Sequence, residues 1–172
     1  MNGEMTVKNK RMSSMLFTLY MLVLVWAVIF KFSVSITDIR FLSAGSHSVN
    51  LIPFHYDTNN GLQGFEVLAN VILFIPLGLY LKMFNKKALY IILLGLLLSF
   101  AFEGMQFLFS IGEADITDII TNTLGTAIGV LCYSVLRSVF PNKKHLDKGI
   151  NTFAAMFSVL FGTMGLVLFI FN

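Results

Sequence analysis

The sequence predicts an all-α membrane protein, a helical bundle of five transmembrane helices with the amino terminus in the cytoplasm. Of the 172 residues, 56% are hydrophobic and only 12% are charged, whereas a soluble domain carries about 25% charged residues. Five segments approach the roughly 20 apolar residues that a helix needs to cross a bilayer. The distribution of lysine and arginine between the connecting segments indicates which helix ends face the cytoplasm.

The five predicted spans follow one another with one long connection, between the first and the second. Basic residues precede the first span as in a signal peptide, but its length and the lack of a small-residue cleavage site indicate an uncleaved anchor. The second span contains Pro76, which frees a backbone carbonyl group and is expected to kink the helix. The spans are predicted at residues 14–32, 66–83, 88–108, 117–139 and 150–171. We interpret residues 1–139 as a four-helix membrane domain and residues 140–172 as a cytoplasmic loop and the fifth helix of the same bundle.

The charged residues indicate the orientation of these spans. With the amino terminus inside, only Lys31 and Arg40 of the 12 basic residues fall on the outer side. The other ten fall in cytoplasmic segments, in agreement with the positive-inside rule. Among the nine acidic residues the asymmetry is reversed, since only Glu4 and Asp147 fall inside. The outer end of the bundle is therefore predicted to be anionic and polar.

Composition excludes several classes of site. The net charge of +3 is divided among short loops and forms no basic stripe, which argues against nucleic-acid binding. Cys132 is the single cysteine, so neither a disulfide framework nor a cluster of thiol metal ligands can form. We expect no cofactor and no metal, although Glu103, Asp115 and Asp118 offer the oxygen ligands that Mg²⁺ or Ca²⁺ prefers.

Glu103 is the most informative residue, because it lies inside the third predicted span. A charged residue at the centre of a membrane helix costs roughly 2.5–3.5 kcal/mol, so a carboxylate there marks a candidate functional site. Gln106 follows three residues later on the same helical face. At a rise of about 1.5 Å per residue, Asn70, Glu103 and Asn122 lie roughly 6–8 Å from the outer ends of their spans. Three helices thus place polar groups at one depth.

The fourth span begins with a polar stripe. Asp118, Asn122, Gly125 and Gly129 are spaced i, i+4, i+7 and i+11, which places them on one helical face. The two glycines have the spacing that lets another membrane helix approach closely. The polar half of this face is therefore predicted to point into the bundle, beside Glu103.

Most of these polar residues also have a purely structural interpretation. Asp115 can cap the fourth helix, and Asp118 can be a first-turn carboxylate favoured by the helix dipole. Asn70 and Asn122 can form hydrogen bonds between helices, each worth roughly 0.6 kcal/mol in a membrane. Glu103 is the hardest of the group to explain as a packing residue.

Four short motifs occur in a fixed order along the chain. They are N-L-I-P-F at 50–54, N-x-x-L-F-x-P-L-G at 70–78, E-x-x-Q at 103–106 and D-x-x-D-x-x-x-N-T-L-G at 115–125. Together they resemble the VanZ-like family of bacterial membrane proteins, over the region from the first helix to about Arg137. The resemblance implies a location in the bacterial cell membrane and a link to low-level resistance to teicoplanin and related lipid-tailed glycopeptides. It implies no reaction.

The residues leave open whether the protein is an enzyme. In one hypothesis, Glu103 and Asp118 form an acid/base pair at the outer leaflet and act on a lipid-linked wall precursor or another cell-surface lipid. In the second hypothesis, the protein binds a lipid head group or a glycopeptide without catalysis. The candidate binding residues are Gln106, Asn122, Asp115, Asn70, Arg40 and Asn50.

A third hypothesis is proton-coupled transport with Glu103 as the proton carrier. Five spans without an inverted repeat make a complete transporter the least favoured of the three. In each case the expected partner is a membrane lipid or a lipid-linked precursor, nucleic acid is not expected, and the oligomeric state is left open.

Overall fold

The computed structural model describes residues 7–29, 49–54, 63–109, 114–140 and 142–171, and most of them are helical. Arg40, one of the predicted binding residues, lies outside the described residues. Two short strands, Val49–Asn50 and Ala114–Asp115, pair in parallel ahead of the second and fourth helices. In chain order the elements are α1 (Val7–Ile29), β1 (Val49–Asn50), α2 (Gln63–Met83), α3 (Ala88–Phe109), β2 (Ala114–Asp115), α4 (Ile116–Val139) and α5 (Lys143–Phe171).

Four of the five helices are long and apolar enough to cross a membrane. The candidate spans are Arg11–Ile29, Gly64–Met83, Ala88–Phe109 and Ile116–Val139. They coincide with the first four predicted spans. Within the described residues α5 is not a candidate span, so the prediction of a fifth transmembrane helix is not confirmed. The first two turns of α5 carry lysines, a histidine and Asp147, groups that prefer water or a polar interface to lipid.

Helices α2 and α4 form the closest pair in the bundle. A Cβ atom added to Gly129 would clash with the carbonyl oxygen of Ile75, and one added to Gly78 would clash with the carbonyl oxygen of Thr126. Backbone therefore rests directly on backbone, and the predicted packing role of the glycine face of α4 is confirmed. This close approach fixes the position of the first turn of α4 relative to α2.

Helix α1 is attached to this pair by a buried hydrogen bond. Tyr20, which is 1% exposed, donates from its hydroxyl to the carbonyl oxygen of Leu73 at 2.8 Å. Around it lies an apolar core drawn from α1, α2, α3 and α4, with Phe74 and Phe102 in an edge-to-face contact. Aromatic pairs in this geometry add about 0.5–1.5 kcal/mol beyond the burial of their area.

A second core joins the opposite ends of α2 and α4 to the beginning of α5. Tyr80 of α2 donates to the Oδ1 atom of Asn151 at 3.4 Å, and Asn151 donates from Nδ2 to the hydroxyl of Ser13 at 2.8 Å. All three side chains are buried. Helix α5 is thus held to α1 and α2 by specific hydrogen bonds as well as by apolar packing.

The segment before α2 is held against the start of α4. Strand β1 pairs with β2 so that Asn50 lies opposite Asp115. The backbone N–H of Phe54 donates to the Oγ1 atom of Thr117 at 3.1 Å. Phe54 has a φ of 54°, a left-handed conformation that costs a non-glycine residue roughly 1–2 kcal/mol. The contact with Thr117 helps to offset that cost and holds residues 49–54 against the start of α4.

Candidate functional site

Glu103 lies near the end of α3 and is 4% exposed. Its Oε2 atom accepts a hydrogen bond from the backbone N–H of Asp115 at 2.8 Å. A hydrogen bond to a charged group contributes about 1.5–3 kcal/mol, roughly twice the value of a neutral pair. The carboxylate therefore fixes the point at which the chain enters α4, although twelve residues of sequence separate the two.

Asp115 is the N-cap of α4, as one interpretation of the sequence predicted. Its backbone is extended, and its Oδ1 atom accepts from the N–H of Thr117 at 2.7 Å. Its other oxygen, Oδ2, accepts from the Nδ2 atom of Asn50 at 3.2 Å. Asp115 thus has a second role. Its side chain holds the segment containing Asn50, and its backbone N–H is held by Glu103.

Asp118 makes a separate connection one turn into α4. Its Oδ1 atom accepts from the Nδ2 atom of Asn70 at 2.7 Å, and the side chain of Asp118 is buried. The short distance is typical of a charge-assisted hydrogen bond. Because Asn70 belongs to α2, this bond places an amide and a carboxylate at the end of the tightly packed α2–α4 pair where both helices begin. We call Asn50, Asn70, Glu103, Asp115 and Asp118 the carboxylate site.

Gln106 and Asn122 lie one helical turn from this site and donate to residues outside the predicted set. The Nε2 atom of Gln106 donates to the carbonyl oxygen of Val28 at 2.9 Å, which joins α3 to α1. The Nδ2 atom of Asn122 donates to the hydroxyl of Ser99 at 2.9 Å, which joins α4 to α3. Both residues are almost fully buried. Their amide nitrogens hold the bundle together, as the structural interpretation of Asn122 proposed.

The structure therefore brings the predicted residues together in two groups. Asn50, Asp115 and Glu103 form one continuous set of hydrogen bonds, and Asn70 pairs with Asp118. Thr117 lies between Asp115 and Asp118. Its backbone N–H donates to Asp115, and its Oγ1 atom accepts from the backbone N–H of Phe54.

Sequence reasoning missed Ser99 and Thr117. Ser99 is one turn before Glu103 on the same face of α3, and Thr117 lies between two acidic residues at a helix start. The i−4 spacing from Glu103 could have identified Ser99. The pattern of a helix N-terminus could have identified Thr117.

Charge is strongly segregated along the bundle. The carboxylate site and Glu66, in the first turn of α2, lie at the end where α2 and α4 begin and α3 terminates. Among the side chains that the structure describes, every lysine and arginine lies at the opposite end, and Asp147 is the one acid found with them. These basic residues are Arg11, Lys82, Lys86, Lys87, Arg137, Lys143, Lys144 and Lys148.

The described residues contain no group of three or more histidine, cysteine, aspartate or glutamate side chains placed to hold a metal ion. Glu103, Asp115 and Asp118 each accept from nitrogen donors of the protein. Chemically, the arrangement is a largely buried group of carboxyl groups that accept hydrogen bonds at one end of the helical bundle.

Comparison with known proteins gives two matches. A family model described as VanZ/LLP1 matches residues 17–137, a range that contains every predicted site residue. Protein VanZ of Enterococcus faecium is 38% identical over 142 residues, which cover 81% of this chain and 84% of that protein. No solved structure matches.

Proposed function

Because this chain belongs to the VanZ/LLP1 family, we propose that it is a multi-pass protein of the bacterial cell membrane that engages a cell-surface lipid or a lipid-linked wall precursor at the carboxylate site. Through that contact it lowers susceptibility to teicoplanin and related lipid-tailed glycopeptides. The amino terminus is cytoplasmic, α5 is a fifth span, and the carboxylate site faces the outer leaflet.

The observation that carries this proposal is the buried carboxylate of Glu103 beside the N-cap of α4. Glu103 lies within a helix of membrane-crossing length, and its charge is costly in that position. Apolar replacements of buried ionic groups are often neutral or stabilising, so stability alone is a weak reason to keep a carboxylate here. A polar ligand that meets the charge at the membrane surface is a stronger one.

The segment at 49–54 supports contact with lipid. Leu51, Ile52 and Phe54 are all exposed, although the backbone beside them is tied to Asp115 and Thr117. An apolar surface next to an anionic polar site suits a ligand with both a hydrocarbon part and a polar head. Exposed apolar side chains at a helix end are also suited to the membrane interface.

Binding is favoured over catalysis by the hydrogen bonds of the two candidate acid/base residues. Glu103 accepts from a backbone N–H, and Asp118 accepts from an asparagine amide. Both carboxylates are fixed in position as acceptors, which suits recognition of a donor. Catalysis by Glu103 and Asp118 is the second candidate function, since both lie at one end of the bundle on neighbouring helices.

The proposal is tested with Glu103→Gln, which keeps the shape of the side chain and removes its charge. Teicoplanin susceptibility is measured in cells that express equal amounts of membrane-inserted protein. We expect Glu103→Gln to reduce resistance to the level of cells without the protein. Glu66→Gln is the matched control, because Glu66 is an exposed carboxylate at the same end of the bundle, and it should retain resistance.

Lipid and wall-precursor mass spectrometry of the same strains separates the two candidates. Catalysis predicts a lipid or precursor whose mass changes when wild-type protein is present and is restored in Glu103→Gln. Binding predicts an unchanged set of covalent species. Full resistance of Glu103→Gln at equal abundance would overturn the proposed role of the carboxylate site.

A further inference from the structure

We infer that residues 49–54 are inserted into the membrane surface, where the bonds to Asp115 and Thr117 hold them below the end of α3 with their apolar side chains in lipid. The inference concerns the position of this segment in the bilayer and does not depend on which ligand the carboxylate site binds. It rests on the depth at which the segment is held, on the hydrogen bonds of its backbone, and on the exposure of its side chains.

The start of α4 is recessed from the end of α3. Glu103 accepts from the backbone N–H of Asp115 at 2.8 Å, and six residues of α3 follow Glu103, the last of them Phe109. At a rise of about 1.5 Å per residue, Asp115 therefore lies about 9 Å below the end of α3. The 22 residues of this candidate span are about 33 Å long, close to the hydrocarbon thickness of about 30 Å. The end of α3 thus lies near the edge of the hydrocarbon, and Asp115 lies inside it.

Helix α2 gives an independent measure of the same recess. The hydrogen bond between Asn70 and Asp118 sets α2 and α4 at a common level. The candidate span of α2 begins at Gly64, six residues before Asn70, whereas that of α4 begins at Ile116, two residues before Asp118. Helix α2 therefore extends about 6 Å beyond the first residue of α4. The start of α4 lies inside the ends of both neighbouring helices.

The segment 49–54 is held at this recessed level by two contacts. Asn50 lies opposite Asp115 in the strand pair, and its Nδ2 atom donates to the Oδ2 atom of Asp115 at 3.2 Å. The backbone N–H of Phe54 donates to the Oγ1 atom of Thr117 at 3.1 Å. Both partners lie at the start of α4, so the segment lies about 6–9 Å inside the ends of α2 and α3.

The connection between α1 and α2 begins and ends on one side of the membrane. The carbonyl oxygen of Val28, next to the last residue of α1, accepts from Gln106 near the end of α3. Helix α2 begins at the same end of the bundle, because Asn70 pairs with Asp118 in the first turn of α4. The segment 49–54 therefore enters the membrane surface and leaves it from the same side, without crossing.

The backbone of the segment is prepared for a site with little water. A backbone N–H at membrane depth needs a partner within the protein. The N–H of Ile52 donates to the Oδ1 atom of Asn50 at 3.1 Å, Pro53 has no N–H, and the N–H of Phe54 donates to Thr117. Every backbone donor from Ile52 to Phe54 is thus satisfied by the protein, and none of them requires solvent.

The side chains of the segment are apolar and turned away from the protein. Leu51, Ile52 and Phe54 are 70%, 60% and 46% exposed. Helix α3 presents lipid-facing side chains at the same level, because exposed Phe100 and Leu108 lie before and after Glu103 along the helix. Removal of apolar surface from water is favourable in proportion to its area, so this surface is more stable in lipid than in water.

Lipid suits this surface better than a second protein chain does. A stable protein interface takes about 20–30 residues from each partner, whereas this surface consists of one short turn. An apolar surface sunk by about 5–10 Å into the boundary between head groups and acyl chains is typical of interfacial membrane contact. The depth of about 6–9 Å worked out from α2 and α3 falls in that range.

The test uses spin labels on the full-length protein in phosphatidylcholine bilayers. On a Cys132→Ala background, which removes the single cysteine, a nitroxide is attached to a cysteine at Leu51 or at Ile52. Collisions with oxygen, which concentrates in hydrocarbon, are compared with collisions with a nickel chelate, which stays in water. Labels at exposed Leu97 of α3 and at exposed Lys86 serve as the lipid and water references. We expect the oxygen-to-nickel ratio at Leu51 and Ile52 to be shifted from the Lys86 value towards the Leu97 value.

A second measurement tests what holds the segment at this depth. Thr117→Val keeps the shape of the side chain and removes the acceptor for the N–H of Phe54, so the oxygen-to-nickel ratio at Ile52 should fall. Thr123→Val is the matched control, because the hydroxyl of Thr123 donates only within α4, to the carbonyl oxygen of Ile119 at 2.7 Å. It should leave the ratio unchanged. An equal ratio in the two variants would overturn the positioning role of Thr117.

Two results at Leu51 and Ile52 overturn the insertion itself. Free access of the nickel chelate to both labels shows that the turn lies in water. Protection of both labels from oxygen and from nickel shows that protein covers the turn, either another part of this chain or a second copy. Both side chains are largely exposed, so their replacement removes little packing and the labelled proteins should fold.

Discussion

Replacement of Asp147 by asparagine should stabilise the protein at neutral pH. Asp147 is 3% exposed, and both of its carboxylate oxygens are buried without a hydrogen-bond partner among the described residues. Burial raises its pKa above the ordinary value of 3.8, and the charges of Lys143 and Arg137 only partly oppose that effect. The folded protein therefore prefers the protonated, neutral form of this side chain.

The direction of the pH dependence follows from the raised pKa. Below pH 3.8 the carboxyl group is protonated in both states, and the folded state keeps its full stability. As the pH rises from 3.8 through the raised pKa of the folded state, the unfolded chain releases the proton first, so stability is lost. Neutral asparagine has no such loss, and Asp147→Asn should differ most from the wild type at neutral pH.

The size of the effect is the cost of ionising a buried carboxyl group, because the asparagine amide is buried in the same place but carries no charge. A pKa raised by one corresponds to about 1.4 kcal/mol of stability at neutral pH. For a chain of this size, 1 kcal/mol shifts Tm by about 2–4 °C. The assay is thermal unfolding in detergent across the range from acidic to neutral pH, with Glu66→Gln as the exposed control. If Asp147→Asn is less stable than the wild type at neutral pH, the carboxylate is ionised and paired in the folded protein, and the reasoning is refuted.

Two further predictions test the packing and the orientation. Gly129→Ala should lower the fraction of folded protein recovered from membranes, because the added methyl group would meet the backbone of α2. Gly104→Ala is the control and should be tolerated, because there is open space around Gly104. Equal recovery of the two variants would contradict the close α2–α4 contact. On a cysteine-free background, an impermeant thiol reagent added to intact cells should label a cysteine at exposed Glu66 and not one at Lys86. Labelling at Lys86 would reverse the proposed topology.

Local signals in the sequence were sufficient to predict the first four helices of the fold. The first four spans were predicted from the length of their apolar runs, and α2, α3 and α4 contain the predicted segments. The first predicted span overlaps α1 up to Ile29, and its last three residues lie outside the described residues. The cap at Asp115 was among the predicted interpretations because its partner, the N–H of Thr117, is two residues away. The fifth helix was harder to assign, since its charged first turns precede an apolar run.

The pairing of the site residues was decided by tertiary structure. Asn50 and Asp115 are 65 residues apart, and Asn70 and Asp118 are 48 apart. Depth in the membrane placed these residues at one end of the bundle, but depth does not specify which residue faces which.

The sequence by itself determined a membrane helical bundle with its acids collected at one end, because hydrophobic length and charge position act along the chain. Only the packed structure decided that Glu103 holds the start of α4 and that Asn122 bonds to Ser99. Those contacts depend on how far each helix is rotated about its axis and how closely α2 and α4 approach. Both are set by the fit of many side chains and of the glycine face of α4, and no local pattern encodes that fit.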